Sequence, residues 1–122
     1  MAENGIIVAI IDDDEAVRAA LRRLIRSVGW HVRTFGTAEE FLSAADQPPS
    51  SCLVLDLHLP GLSGLELHER LKADCRYLPV VFITAYPDEK TRKQVMHAGA
   101  VAFLEKPFEE QFLLNAIEQA LR

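Results

Sequence analysis

Four short apolar runs punctuate the chain: Ile6 to Ile11, Cys52 to Leu55, Val80 to Ile83 and Val101 to Leu104. They are apolar at successive positions and mostly rich in β-branched residues, the pattern of parallel strands covered on both faces. His31 to Phe35 alternates instead, as an edge strand does. The stretches between have helical spacing. Val17, Leu21, Leu24, Ile25 and Val28 fall on one helix face, with Arg18, Arg22, Arg23 and Arg26 over the solvated remainder and Gly29 as the stop. Thr37-Ala38-Glu39-Glu40 has the form of a capping box, in which Thr37 accepts the third N–H and Glu40 reaches back. The helix it opens runs through Phe41, Leu42 and Ala45 and ends before Pro48-Pro49. Ser63-Gly64-Leu65-Glu66 is a second box, opening a helix with Leu67 and Leu71 inward. Pro79 suits the start of the fourth strand. Asp88 caps a helix that offers Val95, Met96 and Ala98 to the core and is closed by Gly99. A last helix turns Phe112, Leu113, Ala116, Ile117 and Ala120 inward. Only Asp46 to Ser51 reads as loose.

Five strand–helix pairs predict an α/β fold: a flavodoxin-like (βα)5, doubly wound, parallel five-stranded sheet. The strand order 2-1-3-4-5 comes from the known repertoire of such sheets; the residue pattern alone leaves the order open. A length of 122 residues fits one domain, 1–122, and 49% hydrophobic residues supply its core. A net charge of −5 argues against a nucleic-acid surface. Cys52 and Cys75 lack metal-ligand spacing and read as reduced thiols. His31, His68 and His97 read as surface residues. The first residues carry neither a basic region nor a long apolar stretch, so neither a signal peptide nor a membrane association is expected, and the expected location is cytoplasmic.

Composition says little about chemistry; the run ends say more. Asp56 ends the Cys52 run, Asp12 and Asp13 end the first, Thr84 ends the third and Lys106 follows the fourth. A carboxylate at the end of a buried strand is costly without compensation. In a doubly wound sheet, ligands bind beyond the carboxyl ends of the strands, where strand order reverses. With strands one and three adjacent at that reversal, Asp12, Asp13 and Asp56 lie side by side, flanked by Thr84 and Lys106. Three carboxylates in one pocket repel each other, and a divalent cation relieves this. An all-oxygen ligand set favours Mg²⁺ over Zn²⁺. Asp56 then serves as a carboxylate nucleophile toward phosphorus. Lys106 offsets charge on the transferring group, and the Thr84 hydroxyl donates to a phosphoryl oxygen. Taken singly, each residue has a plainer reading. Asp12-Asp13 could cap a helix, Asp56 could open the turn before Pro60-Gly61, and Lys106 could be a loop lysine. Asp14 and Glu15 read as first-turn helix charges.

Four segments carry a resemblance: Ile11-Asp12-Asp13-Asp14-Glu15, Leu55-Asp56-Leu57-His58-Leu59-Pro60-Gly61-Leu62-Ser63-Gly64, Ile83-Thr84-Ala85 and Glu105-Lys106-Pro107-Phe108. Together they resemble the receiver domains of bacterial two-component response regulators. Gly36 to Leu42 and Ala98 to Phe108 are similar to the nitrogen-fixation regulator (FixJ-like) subfamily. The resemblance implies a non-enzymatic signalling module that accepts a phosphoryl group on Asp56 from a sensor histidine kinase. It implies Mg²⁺ held by Asp13, Asp56 and the His58 backbone carbonyl, with Asp12 acting through water. It implies that Thr84 and Phe103 move together on activation, that His58 and Tyr86 influence phosphate lifetime, and that the Lys106–Pro107 bond is cis, aiming Lys106 into the pocket. The expected output is a switch at the face of the fourth helix, fifth strand and fifth helix. That face would bind a partner or a second copy in a phosphorylation-dependent homodimer, without direct nucleic-acid contact. A DNA-binding transcription-regulating domain commonly follows in this subfamily; none is expected within 1–122. A haloacid-dehalogenase-like phosphatase uses similar residue types, but its nucleophile lies on the first strand, ahead of the acidic pair, the reverse of the order here.

Overall fold

The computed structural model describes residues 5–44 and 49–122. Along these residues strands and helices alternate: β1 (Ile7–Ile11), α1 (Glu15–Ser27), β2 (His31–Phe35), α2 (Ala38–Ser43), β3 (Cys52–Asp56), α3 (Gly64–Ala73), β4 (Val80–Thr84), α4 (Glu89–His97), β5 (Ala102–Glu105) and α5 (Glu110–Ala120). The strands form one parallel sheet in the order β2-β1-β3-β4-β5.

Alternate residues of each central strand feed opposite layers. Ala9, Ile11, Leu53, Leu55 and Phe82 pack with Phe41 of α2, Leu67 and Leu71 of α3 and Val95 of α4. Val8, Ile10, Val54, Val81 and Ile83 pack with Leu21 and Ile25 of α1 and Leu113 and Ile117 of α5. The strands read as unbroken apolar runs because both faces are covered. A fully buried side chain of this size contributes about 1.5–3 kcal/mol relative to exposure.

Local signals place the helix ends. Asp14 caps α1, accepting from the N–H groups of Ala16 and Val17, and Gly29 follows the helix at φ 96°. Such a left-handed conformation suits glycine. At α3 the capping box is complete: Ser63 accepts from Glu66 N–H, and Glu66 accepts from Ser63 N–H. At α2 it is half formed. Thr37 accepts from Glu40 N–H, but the Glu40 carboxylate accepts from Gly36 N–H at 2.8 Å instead of from Thr37. Asp88 caps α4 through Thr91 N–H.

Several side chains fall elsewhere than their spacing suggests. Val28 lies beyond the last turn of α1 and is exposed, as are Met96 on α4 and Phe112 on α5. Of the three α4 residues expected inward, only Val95 is buried. β5 begins one residue later than the apolar run, at Ala102. Ser51 is not loose: its N–H donates to the Ile7 carbonyl and its Oγ accepts from Ile7 N–H. Ala45 and 46–48 lie outside the described residues. His68 is the largest departure. Gly64, Leu67, His68 and Leu71 form the buried stripe of α3, and His68 meets the Phe82 ring edge-on at 5.3 Å. Its position after Leu67 places it in the same apolar stripe. Burial, with the Lys72 charge, holds the imidazole below its ordinary range against the pull of Glu69.

Two expected outcomes follow from this packing. A Cβ at Gly64 would lie 2.3 Å from the Asp56 carbonyl oxygen, a backbone atom that cannot turn aside. Gly64→Ala should therefore destabilise the domain by about 1–3 kcal/mol in urea unfolding. For His68, the unfolded chain takes up a proton near the ordinary value of 6.5, while the folded imidazole resists it. The unfolded state then binds the extra proton, so this contribution to stability is present above that pH and is lost as pH falls. Urea midpoints should drop on acidification from about pH 7 to 5, and drop less in His68→Leu.

Candidate functional site

The run ends meet. Ile11 pairs in register with Leu55, Asp56 with Ile83, and Thr84 with Glu105, so the residues that end or follow β1, β3, β4 and β5 share one edge. Asp12 is fully buried, Asp56 is 5% exposed and Asp13 is open to solvent. Carboxylate oxygens of Asp12, Asp13 and Asp56 all lie within 4.8 Å of one another. Lys106 Nζ donates to Asp12 Oδ2 at 2.7 Å and to Asp56 Oδ2 at 3.3 Å. The Lys106–Pro107 bond is cis.

Each buried carboxylate divides its oxygens between backbone and ammonium. Asp12 Oδ1 accepts from Asp14 N–H at 2.9 Å, and Asp56 Oδ1 accepts from His58 N–H at 3.0 Å. Burial pushes the Asp56 carboxyl up from its ordinary range. The His58 N–H opposes that, the Asp12 charge adds to it, and Lys106 opposes it again. The Lys106 ammonium is pulled down by burial, but the hydrogen bond and charge of Asp12, joined by Asp56, leave it raised overall. Three carboxylates face a single ammonium, and the pocket keeps an excess of negative charge.

These groups open into a cavity of about 310 Å³ lined by Asp12, Asp13, Asp56, His58, Tyr86 and Lys106, among others. The His58 and Tyr86 rings meet edge-on, 5.9 Å apart. Thr84 sits behind this wall. It is fully buried, and its Oγ1 accepts from Tyr86 N–H at 3.0 Å. Lys106 N–H donates to the Thr84 carbonyl at 2.7 Å, tying the ends of β4 and β5 together. Phe103 is half-buried against the layer containing Phe82, its partner in register.

Two supporting residues escape sequence reasoning. Arg18 reads as part of a solvated arginine face, yet its Nη1 donates to the Asp12 carbonyl at 2.7 Å, holding the backbone that carries the acidic pair. Glu39 of α2 accepts from Leu62 N–H at 2.9 Å across 23 residues, bracing the loop after Asp56. No local signal marks the Glu39 contact, because only the packing of α2 beside that loop creates it.

Known proteins resemble this chain over most of its length. Residues 8–118 match the family described as the response regulator receiver domain. Response regulator protein TodT of Pseudomonas putida is 38% identical over 122 residues, covering 100% of this chain and 54% of that protein. Nodulation protein W of Bradyrhizobium diazoefficiens is 43% identical over 119 residues, covering 98% and 52% respectively. Transcriptional regulatory protein FixJ of the same organism is 42% identical over 113 residues, covering 93% and 55%. The chain thus spans about half the length of these curated relatives. Among solved structures, response regulator StyR superposes with a TM-score of 0.85 at 50% identity, covering 94% of this chain and 58% of that one. FixJ-N superposes with a TM-score of 0.86 at 38% identity, covering 95% and 93%. Among the described residues no helix is long and apolar enough to cross a membrane. A match that begins in β1 and runs into α5, on a sheet of this order, makes the chain a member of the response-regulator receiver domain family of two-component systems.

Proposed function

We propose that Asp56 accepts a phosphoryl group from a sensor histidine kinase in a Mg²⁺-dependent reaction. The observation that carries this reading is the gathering of the Asp12, Asp13 and Asp56 carboxylates within 4.8 Å of one another at the carboxyl edge of the sheet, with Lys106 hydrogen-bonded to Asp12 and Asp56. The donor set fits Mg²⁺: it is all oxygen, and the excess negative charge needs a cation. The Asp13 and Asp56 carboxylates and the His58 backbone carbonyl would hold the ion, with Asp12 acting through water. Bound there, Mg²⁺ supplies charge neutralisation for the oxygens of the transferring group.

The protein's own residues account for the rest. An Asp56 carboxylate oxygen attacks phosphorus, the bond from phosphorus to the donor imidazole breaks, and the imidazole keeps the bonding pair and takes a proton from solvent. Lys106 already contacts Asp56 at 3.3 Å, so its ammonium lies where phosphoryl oxygens would gather. Thr84 accepts a hydrogen bond through its oxygen and keeps its own proton to donate. Rotation of Thr84 toward a phosphoryl oxygen would vacate space beside β5, into which Phe103 turns.

The output follows from weak anchoring. α4 buries Val95 alone, while Met96 on α4 and Phe112 on α5 are 36% and 56% exposed. Elements with few buried contacts sit at the low end of local stability, where switches are drawn from. Phosphorylation then shifts a pre-existing equilibrium at the α4, β5 and α5 face, which binds a second copy or an output domain.

Incubation with acetyl phosphate and Mg²⁺ should add one phosphate by intact mass. Asp56→Asn should remove the adduct, and an adduct that persists in that variant would place the acceptor elsewhere. In the same phosphorylated sample, light scattering should show a larger mass than in the untreated protein. Without metal, Asp56→Asn should stabilise the fold. Burial and the Asp12 charge both disfavour the Asp56 carboxylate, and an amide removes that charge while its oxygen still accepts from His58 N–H. The gain should be about 1 kcal/mol, or a few degrees in Tm, in thermal melts with chelator. Adding Mg²⁺ should raise the wild-type Tm and leave that of Asp56→Asn much less changed.

A further inference from the structure

Arg18 places a cation beside a site that has to receive another. Its Nη1 donates at 2.7 Å to the Asp12 carbonyl, the oxygen of the peptide bond that joins Asp12 to Asp13. A guanidinium there repels a divalent ion, so its charge gives no reason for its placement. The geometry does. The Asp12 carboxylate is fixed by its own partners, Asp14 N–H on one oxygen and Lys106 on the other. The Asp13 carboxylate is exposed, and among the described residues no group hydrogen-bonds to it. Its position therefore follows from the backbone that carries it. That backbone is fastened on both sides of Asp12: the Asp12 N–H donates to the Phe35 carbonyl at 3.1 Å, and the Asp12 carbonyl accepts from Arg18. Arg18 N–H also donates to the Asp14 carbonyl at 3.0 Å. Arg18 thus closes the first turn of α1 with its backbone and reaches back over that turn with its side chain. Its head lies over Gly36, where a Cβ would come 3.4 Å from Nη1 and the missing side chain leaves it room.

We infer that Arg18 is a positioning residue for Mg²⁺ binding, a role that rests on the Mg²⁺-dependent reading of the acidic edge. It pins the Asp12–Asp13 peptide, so that the exposed Asp13 carboxylate stays within 4.8 Å of those of Asp12 and Asp56. It acts through that peptide and not by contact with the reacting groups. Residues behind the ligands set metal affinity in this way, and losing one costs about 10–100-fold. The sign of the effect separates this role from one of charge. A guanidinium acting only through its charge opposes a cation, so its removal would tighten Mg²⁺ binding. Removal of a positioning residue loosens it.

The test is a titration of the ¹⁵N-labelled chain with MgCl₂, followed by NMR, with urea unfolding of the same samples. Arg18→Met should raise the Mg²⁺ Kd about tenfold and leave the urea midpoint close to that of the wild type. In its metal-free spectrum the Asp13 and Asp14 amides should shift, and signals from the far end of the sheet should not. Arg18→Lys, which keeps the charge and a donor on a different head, should recover part of the affinity. Arg22→Met removes the same charge from an exposed position on the same helix and should leave the Kd unchanged. Mg²⁺ bound by Arg18→Met as tightly as by the wild type, or more tightly, would overturn the inference and leave the Mg²⁺ reading standing. So would an equal loss in Arg22→Met. A loss that comes with a lowered urea midpoint and shifts spread through the sheet would overturn it as well, because Arg18 would then support the fold as a whole. A wild-type chain with no saturable response to Mg²⁺ would overturn the inference and the Mg²⁺ reading together.

Discussion

Lys106 between Asp12 and Asp56 is the contact on which the organisation of this molecule depends. Two carboxylates with almost no solvent exposure stand side by side at the ends of β1 and β3, and one ammonium spans them at 2.7 and 3.3 Å. Removing Lys106 from such an arrangement leaves two buried carboxylates without a counter-ion, which is far more costly than the net worth of the pairs. The compensation is incomplete, because Asp13 adds a third negative charge at the rim. An apolar core would be more stable here. The excess charge is intelligible as readiness for a cation and a phosphoryl group, and the proposed chemistry needs that combination.

Around this centre the backbone is held tightly. Arg18 grips the Asp12 carbonyl, Glu39 grips the Leu62 amide, and Gly64 lets α3 begin against the Asp56 carbonyl where no Cβ fits. Each contact reaches the loops from a different helix, so the acidic residues sit on a braced frame. Away from it the bracing thins. α4 has one buried side chain and a lysine tie to its last carbonyl, and both are weak beside the packing of α3. A rigid site beside a loosely held helix suits a domain whose proposed task is to convert a local charge change into an altered surface.

Much of this is legible in the residues. Unbroken apolar runs announce central strands, and Gly29 and the Ser63-Glu66 box mark helix ends that the structure reproduces. The charged run ends point to the acidic edge without any geometry. The departures share a cause. Val28, Met96 and Phe112 are apolar at helical spacing yet exposed, because periodicity says which residues share a stripe but not where the neighbouring layer stops. His68 departs in the opposite direction: its polarity suggests the surface, but its position in the buried stripe of α3 prevails. Glu40 satisfies Gly36 and not Thr37, one residue earlier than the capping-box pattern expects.

By itself the sequence determined the alternation of strands and helices, the two-sided burial of the sheet and the identity of the charged residues at its edge, since these depend on side-chain pattern and short-range capping. Only the tertiary structure decided that Asp12 and Asp56 share the Lys106 ammonium, that Glu39 braces the loop after Asp56, and that the His68 imidazole is buried against Phe82. Those facts depend on distances between segments far apart in sequence, and such distances are set by how the layers pack.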